Sequence, residues 1–154
     1  MLRRFHEMRE REDGFSLVEL LVVIVVIGIL AAIAVPLFMN QQAKARDTAA
    51  RADVSTIGKE INTLWVDGDA VGLTVANVSG RWQATHTTLG TLDFGPVSPG
   101  VVVGNSGGAV VGLGSAAGEA SRNNWCIDLR HPDGQTRDFR YGSDGLHNGT
   151  CASA

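Results

Sequence analysis

The sequence predicts an α+β fold, in which a long N-terminal helix packs its second half on a small antiparallel β-sheet. Three observations lead to this prediction. From Leu20 to Met39, twenty successive residues carry no charge and no strongly polar group. Apolar residues then recur at helical spacing up to about Trp65, and near the C-terminus they alternate as in β-strands. With 154 residues and 19 glycines, the chain has room for one modest, loop-rich domain beside the apolar run.

The apolar run is long enough to cross a membrane. At 1.5 Å per residue, twenty helical residues span roughly 30 Å, which is the thickness of the hydrocarbon layer of a bilayer. A cleavable secretory signal is the alternative, but its apolar core has about 7–15 residues and a small-residue cleavage site follows it. Here the run is longer and no such site closes it. We therefore predict a retained membrane half-helix over residues 15–39.

Charge does not orient this helix. Four arginines precede it and four basic residues follow within residues 40–59, so the positive-inside rule gives no preference. The two cysteines, Cys126 and Cys151, allow a single intramolecular bridge, which would persist only in an oxidising compartment. A bridge would place the C-terminal part outside the cell membrane, whereas two free thiols would leave the orientation open.

Glu19 lies at the start of the apolar run, where a carboxylate is costly. An acidic residue at the centre of a membrane helix costs roughly 2.5–3.5 kcal/mol, and less near the interface. One hypothesis keeps Glu19 as a hydrated interfacial carboxylate. The other gives it a positive partner. Because the run contains no Lys or Arg, that partner would be a free α-amino group, created if the chain were cut just before Phe15.

The stretch GFSLVEL from Gly14 to Leu20, the apolar helix after it and Pro36 within that helix resemble the type IV pilin family. This family includes the pseudopilins of type II secretion and competence systems. The resemblance implies that a prepilin peptidase cuts between Gly14 and Phe15, removing the leader 1–14, and that Phe15 is then N-methylated. It also implies that Glu19 pairs with the terminal amine of a neighbouring subunit during assembly.

Gly28 and Pro36 are the weak points of the apolar half-helix. Proline lacks an N–H and costs roughly 3 kcal/mol inside a helix, and glycine weakens a helix as well. Both residues are also ordinary in membrane helices. In pilins the segment between the matching residues loses helix in the assembled filament, so the resemblance implies a hinge at Gly28–Pro36.

The extracytoplasmic domain is predicted to span residues 40–154 and to begin with an amphipathic half-helix, 40–65, that continues a helix starting near Phe15. Its apolar positions follow helical spacing; they are Ala43, Ala50, Val54, Ile57, Ile61 and Leu64. Asp47 and Arg51 are spaced for an ion pair on the helix surface. A coiled coil is the alternative, but the short length and the many alanines disfavour it.

Residues 66–120 form a glycine-rich loop region and are the least informative part of the sequence. The valines at 101–103 and at 110–111 favour short strands joined by turns, and a flexible linker is the alternative. No motif of the family helps in this region.

Residues 124–154 are predicted to form a C-terminal β region. Apolar side chains alternate from Trp125 to Leu129, the HPDG sequence at 131–134 suits a type I turn, and residues 136–141 alternate again. This pattern predicts a β-hairpin, after which the tail returns Cys151 toward the first strand. Pilins commonly close such a region with a disulfide, so the resemblance implies a Cys126–Cys151 bridge.

Neither a catalytic site nor a metal site is predicted. The three histidines outside the leader, His86, His131 and His147, lack metal-ligand spacing and are expected on the surface. Ser143-Asp144-Gly145 with Asp133 offers carboxylates for calcium, but not with the spacing of an EF-hand loop. The sequence contains no nucleophile elbow, phosphate-binding loop or paired catalytic carboxylates. We therefore expect a protein that is not an enzyme and needs no cofactor.

The resemblance implies a structural subunit of a type IV pilus. Its expected partners are identical or related pilin subunits in a helical filament, the prepilin peptidase and methyltransferase, the assembly platform of the cytoplasmic membrane, and membrane lipid before assembly. DNA or a surface ligand is left open, as are adhesion, twitching and DNA uptake. The domain is expected outside the cytoplasmic membrane first and in the extracellular filament afterwards. A pseudopilin, a minor pilin and an unrelated single-span protein with an extracellular binding module are the alternatives.

Overall fold

The computed structural model describes residues 15–68, 70–114 and 119–153. The chain divides into two units, Met1–Met39 and Asn40–Ala154. The leader predicted for residues 1–14 lies outside the described residues. One helix, α1, runs from Leu17 to Asp67 and contains Pro36. It starts two residues later than predicted because Ser16 caps it, and it ends two residues later than the predicted Trp65.

In the second unit, α1 buries the predicted stripe. Ala50, Val54, Ile57 and Ile61 are fully buried, and Trp65 is buried too, while Ala43 and Leu64 are half-buried at the edges. These side chains join the apolar faces of the strands in a single core. The amphipathic half-helix packed on small antiparallel sheets is therefore confirmed. A glycine permits the closest approach, because a Cβ at Gly58 would overlap the ring of Tyr141.

The first sheet occupies part of the segment that the sequence left as a glycine-rich loop region. Strands β1 (Thr74–Val78), β2 (Arg81–His86) and β3 (Gly90–Pro96) pair antiparallel in that order. Short turns join them: Ser79 and Gly80, between β1 and β2, both adopt positive φ, and Thr87, Thr88 and Leu89 connect β2 to β3. The sequence predicted short strands in this region, but it placed them at the valines of 101–103 and 110–111. It did not predict the three strands between Thr74 and Pro96.

The second sheet contains β4 (Val102–Val103), β5 (Cys126–Arg130), β6 (Asp138–Gly142) and β7 (Gly145–Asn148), antiparallel in that order. The β5–β6 hairpin confirms the predicted one, with Cys126 opposite Gly142 and Arg130 opposite Asp138. The sequence did not indicate β7. A 3₁₀ helix, Cys151–Ser153, follows.

Backbone hydrogen bonds join the two sheets through the glycine-rich segment. Val75 N donates to Gly108 O at 2.7 Å, and Val110 N donates to Leu73 O at 2.9 Å. Gly108 has a φ of 86°, and a Cβ there would overlap the carbonyl of Val75. A side chain at this position would therefore push the two sheets apart, which explains why residue 108 is a glycine.

Candidate functional site

The N-terminal end of α1 forms a capping box around Glu19. Ser16 Oγ accepts a hydrogen bond from Glu19 N at 3.3 Å, and Glu19 Oε2 accepts one from Ser16 N at 2.9 Å. The first intrahelical bond, from Leu20 N to Ser16 O, makes Ser16 the N-cap residue and Glu19 the third residue of the helix. Two of the otherwise unpaired N–H groups at this helix end are thereby satisfied.

The capping box changes the account of why a carboxylate stands at Glu19. Part of its cost in an apolar setting is offset by a partner on its own chain, Ser16 N, and by its position at the positive end of the helix dipole. Among the residues that the structure describes, none donates a hydrogen bond to the other carboxylate oxygen, Oε1, which can therefore accept another donor. The S-x-x-E spacing from Ser16 to Glu19 is the sequence signal that marks such a capping box. Gly14 lies outside the described residues, so the structure places only Phe15 and Glu19 of this predicted site.

The half-helix beyond Glu19 is exposed on every side. Eighteen large apolar side chains between Phe15 and Met39 are each at least 48% exposed, and no residue of this part of α1 is buried. By length and composition, α1 can cross a membrane. Gly28 and Pro36 both lie within the continuous helix, and a Cβ at Gly28 would meet nothing within 4 Å. The hinge at these two residues stays a prediction.

At the other end of the chain, a disulfide joins Cys126 of β5 to Cys151 of the 3₁₀ helix, with Cα atoms 5.7 Å apart. Both cysteines are fully buried, and Val111 packs beside them. Val111 N and Cys126 N also exchange backbone hydrogen bonds with each other's carbonyls. The bridge therefore anchors the C-terminal tail to β5, and the hydrogen bonds of Val111 anchor the glycine-rich segment to the same strand.

The chain is similar in sequence to several known proteins. The family model for the prokaryotic N-terminal methylation motif matches residues 9–35. A type IV major fimbrial protein FimA of Dichelobacter nodosus is 29% identical over 100 residues, covering 65% of this chain and 62% of its own. The type II secretion system core protein G of Pseudomonas aeruginosa is 37% identical over 62 residues, covering 40% and 44%. A fimbrial protein of Pseudomonas aeruginosa is 29% identical over 126 residues, covering 80% and 82%.

The motif and the relatives support the type IV pilin family for this chain. They are consistent with either a pilus structural subunit or a pseudopilin. The chain covers less than two thirds of the length of several of these relatives, including 62% of one FimA and 44% of core protein G. No solved structure matches the chain. The apolar half-helix is long and apolar enough to anchor the chain in a membrane.

Three aspartates of the globular unit are buried, which the sequence did not predict. Asp53 of α1 accepts hydrogen bonds from Trp82 Nε1 at 2.8 Å, Ser98 N at 2.9 Å and Ser98 Oγ at 2.7 Å. Asp128 of β5 accepts from Asn105 N at 2.9 Å and Ser106 N at 2.8 Å. Each carboxylate fixes a loop to a regular element, and buried carboxylates are tolerated when such bonds satisfy them.

Asp47 is the third of these aspartates, and it corrects a prediction. It was expected to pair with Arg51 on the helix surface, but it is buried and accepts from Thr136 N at 2.8 Å and Arg137 N at 3.1 Å. The β5–β6 turn folds onto this side of α1, so backbone N–H groups take the carboxylate. Arg51 instead donates to Asn148 Oδ1 at 3.2 Å and lies over the ring of Phe139.

The histidine prediction was wrong for two residues of three. His86 and His131 are each only 5% exposed, whereas His147 is on the surface as expected. The buried rings close turns: His86 Nδ1 accepts from Thr88 N and Leu89 N, both at 3.2 Å, and His131 Nδ1 accepts from Asp133 N at 3.2 Å. A ring nitrogen that accepts a backbone N–H needs no metal to explain its burial.

Asp144, which offered a possible calcium ligand, lies in an ion pair. Arg140 donates to both of its carboxylate oxygens at 3.1 Å and 3.0 Å, and His147 Nε2 is 3.4 Å away. Partial burial would raise the pKa of Asp144, but the hydrogen bonds and charge of Arg140 and the charge of His147 lower it below its ordinary value. Within the described part of the chain, no three His, Cys, Asp or Glu side chains group as metal ligands do.

Proposed function

We propose that this chain is a structural, non-enzymatic subunit of a type IV pilus filament. A prepilin peptidase cuts it between Gly14 and Phe15 on the cytoplasmic side, Phe15 is N-methylated, and the subunit passes from the cytoplasmic membrane into the filament through the assembly platform. Before assembly the globular unit lies outside the membrane, where the environment allows the Cys126–Cys151 disulfide to persist. In the filament, the apolar half-helices bury one another, and Glu19 pairs with the terminal amine of a neighbour.

The observation that carries this proposal is the GFSLVEL stretch directly before a half-helix that is exposed on all sides. A helix whose every face is apolar needs lipid or other apolar helices around it. Cleavage before Phe15 supplies an α-amine, which is mostly protonated at neutral pH. Glu19 Oε1 can accept a hydrogen bond from that amine while Oε2 keeps its hydrogen bond from Ser16 N.

A pseudopilin of a type II secretion or competence machine is the second candidate, and the similarity to core protein G favours it. The fimbrial relative, however, extends over 82% of its own length and 80% of this chain, whereas core protein G of Pseudomonas aeruginosa matches over 44% and 40%. This breadth supports a pilus subunit. Counting the protein in pili sheared from cells separates a major pilin from a minor pilin and from a pseudopilin.

Processing is tested by exchanging the residue before the bond. Gly14→Val is expected to leave uncut precursor in the membrane, because the family's peptidase requires a small residue there, while Gly14→Ala serves as the matched small-residue control. The intact mass of protein from membranes and from sheared filaments measures both cleavage and methylation. Mature mass from Gly14→Val at the wild-type level would contradict the proposal.

A further inference from the structure

A small polar cavity lies between α1 and the C-terminal strands of the globular unit. It has a volume of ≈ 220 Å³. The first turns of α1 in this unit supply Lys44, Thr48 and Arg51, whose spacing of four and three residues puts them on one helix face. The β5–β6 turn, β6 and β7 supply the other lining residues, which are Gln135, Thr136, Phe139 and Asn148, and Asp47 of α1 lines the cavity as well.

The cavity holds more positive than negative charge. Lys44 and Arg51 oppose the single carboxylate of Asp47, which leaves an excess of one positive charge on the lining. Both oxygens of Asp47 already accept backbone N–H groups, from Thr136 and Arg137. Within the described ranges, neither Lys44 nor Arg51 forms an ion pair, since the salt bridges there involve other residues. The cavity thus offers two cations to an incoming anion.

Arg51 is held ready for such an anion. Its guanidinium lies 5.5 Å from the centroid of the buried Phe139 ring, and one of its terminal nitrogens donates to Asn148 Oδ1 at 3.2 Å. Stacking and one hydrogen bond fix the plane of the group, and its remaining N–H donors stay available for a phosphate or carboxylate. A planar guanidinium with a preset orientation loses less entropy on binding an anion than a free side chain does.

The position of the cavity in the chain indicates where the anion comes from. Lys44 follows Met39, the last residue of the apolar run, by five residues. Five residues span at most about 18 Å even when fully extended, and about 7.5 Å in a helix. Headgroups occupy roughly the outer 5–8 Å of each leaflet beyond the hydrocarbon layer. Whatever the arrangement of the two units, Lys44 is tethered within reach of lipid phosphates while the run is in a bilayer.

We propose that the cavity at Lys44 and Arg51 binds the phosphate of an anionic phospholipid headgroup while the subunit waits in the membrane. Its volume suits one phosphate with a few waters, each of which takes about 30 Å³, and excludes a large sugar chain. An anionic headgroup is favoured over a zwitterionic one because choline would bring a second positive charge to a site that already has an excess. This inference rests on the proposed membrane-anchored stage.

The test uses the full chain in micelles of a non-ionic maltoside, into which short-chain phosphatidylglycerol is titrated. Binding is followed by NMR shifts of Arg51 Nε–H and of the Thr48 amide. Short-chain phosphatidylcholine and inorganic phosphate are titrated in parallel. We expect saturable shifts with phosphatidylglycerol, with a lower Kd than for either of the other two. Equal shifts with inorganic phosphate at the same concentration would overturn the lipid as the source.

Three variants locate the binding. Because a basic residue near a membrane surface contributes about 1 kcal/mol, Lys44→Gln should raise the Kd about fivefold. Lys59→Gln removes the same charge from an exposed position of α1 outside the cavity and should change the Kd little. Arg51→Lys keeps its charge but loses the stacked plane, so it should weaken binding without abolishing it. An equal loss in Lys59→Gln would mean a diffuse field and would overturn the site.

A second copy of the chain is the competing occupant. Shifts of Arg51 Nε–H that appear without phospholipid and grow with protein concentration would assign the cavity to an acidic side chain of another subunit and overturn the proposal.

The lipid-binding test and the test of the proposed function can fail independently. Lys44→Gln should still be cut after Gly14, which the intact mass shows. A chain that is never cut would contradict the pilus assignment and leave the lipid titration unaffected.

Discussion

The two units of this chain obtain their stability in different ways. In the first, no side chain of the described half-helix is buried, and the hydrogen bonds between Ser16 and Glu19 cap its N-terminal end. In the second, an apolar core is surrounded by buried aspartates and closed by a disulfide. The apolar side chains of the globular unit pack against one another, whereas those of the half-helix need lipid or other helices to bury them.

The difference separates two kinds of mutation. A change in the half-helix should alter where the protein goes and what it assembles with, while the unfolding of the globular unit stays the same. A change in the globular unit should alter its free energy of unfolding first. Substitutions in each unit, measured by both filament yield and unfolding, therefore test whether this division of roles is real.

The largest effect is expected for Glu19→Val, as loss of filaments. Valine removes the carboxylate that would pair with a neighbour's amine, and it also removes the desolvation cost, so membrane insertion should improve if anything. We expect normal cleavage, unchanged unfolding of the globular unit and few sheared filaments. Wild-type filament yield from this variant would contradict the intersubunit role of Glu19.

Glu19→Gln distinguishes the role of the Glu19 charge from the role of the capping box that Glu19 forms with Ser16. Glutamine preserves the capping box but carries no charge to attract an amine. If the ion pair matters, Glu19→Gln should fail to assemble as Glu19→Val does. Ser16→Ala is the complementary variant: it removes the cap, at about 1 kcal/mol, and leaves the carboxylate in place. Assembly by Glu19→Gln with failure of Ser16→Ala would assign the role to the cap instead.

The next largest effect concerns the disulfide of the globular unit. The cysteines are separated by 25 residues in the chain. Closing a loop of that length contributes roughly 3 kcal/mol in the chain-entropy model. Cys126→Ser and Cys151→Ser should each lower the free energy of unfolding by that amount, and by similar amounts, because each removes the same bond. Chemical denaturation of the variants measures this. A large difference between them, or alkylation of both thiols in the native protein, would contradict the bridge.

Asp53→Ala tests the buried aspartates and is expected to cost about 2–3 kcal/mol. It leaves Trp82 Nε1 and Ser98 N without their acceptor, and an unsatisfied buried donor costs about 1–3 kcal/mol. Asp93→Ala is the control: Asp93 pairs with Arg81 at the surface, where both side chains are largely hydrated. If Asp93→Ala destabilises the protein as much as Asp53→Ala does, burial is not what makes Asp53 important.

The sequence predicted best those features that depend on local pattern. The apolar stripe of α1 and the β5–β6 hairpin follow periodicities of 3.6 and 2, which neighbouring residues alone determine. The roles of Asp47, Asp53 and Asp128 depend on loops that return from 22 to 90 residues away, so no local signal marks them. The burial of His86 and His131 has the same cause, since it is settled by packing that the sequence does not show.

The smallest effect expected is the pH dependence contributed by Asp144. Arg140 and His147 lower its pKa against the opposing effect of partial burial. A carboxyl whose pKa is lowered on folding stabilises the protein above its unfolded value, about 3.9, and loses that contribution as the pH falls through the folded value. Because the pair is partly exposed, the contribution should be about 0.2–1 kcal/mol. The difference in unfolding free energy between wild type and Asp144→Asn should therefore be largest above about pH 5 and should shrink below about pH 4. A difference that stays constant between pH 7 and pH 2.5 would show that Asp144 stabilises the turn through shape or packing rather than through its charge.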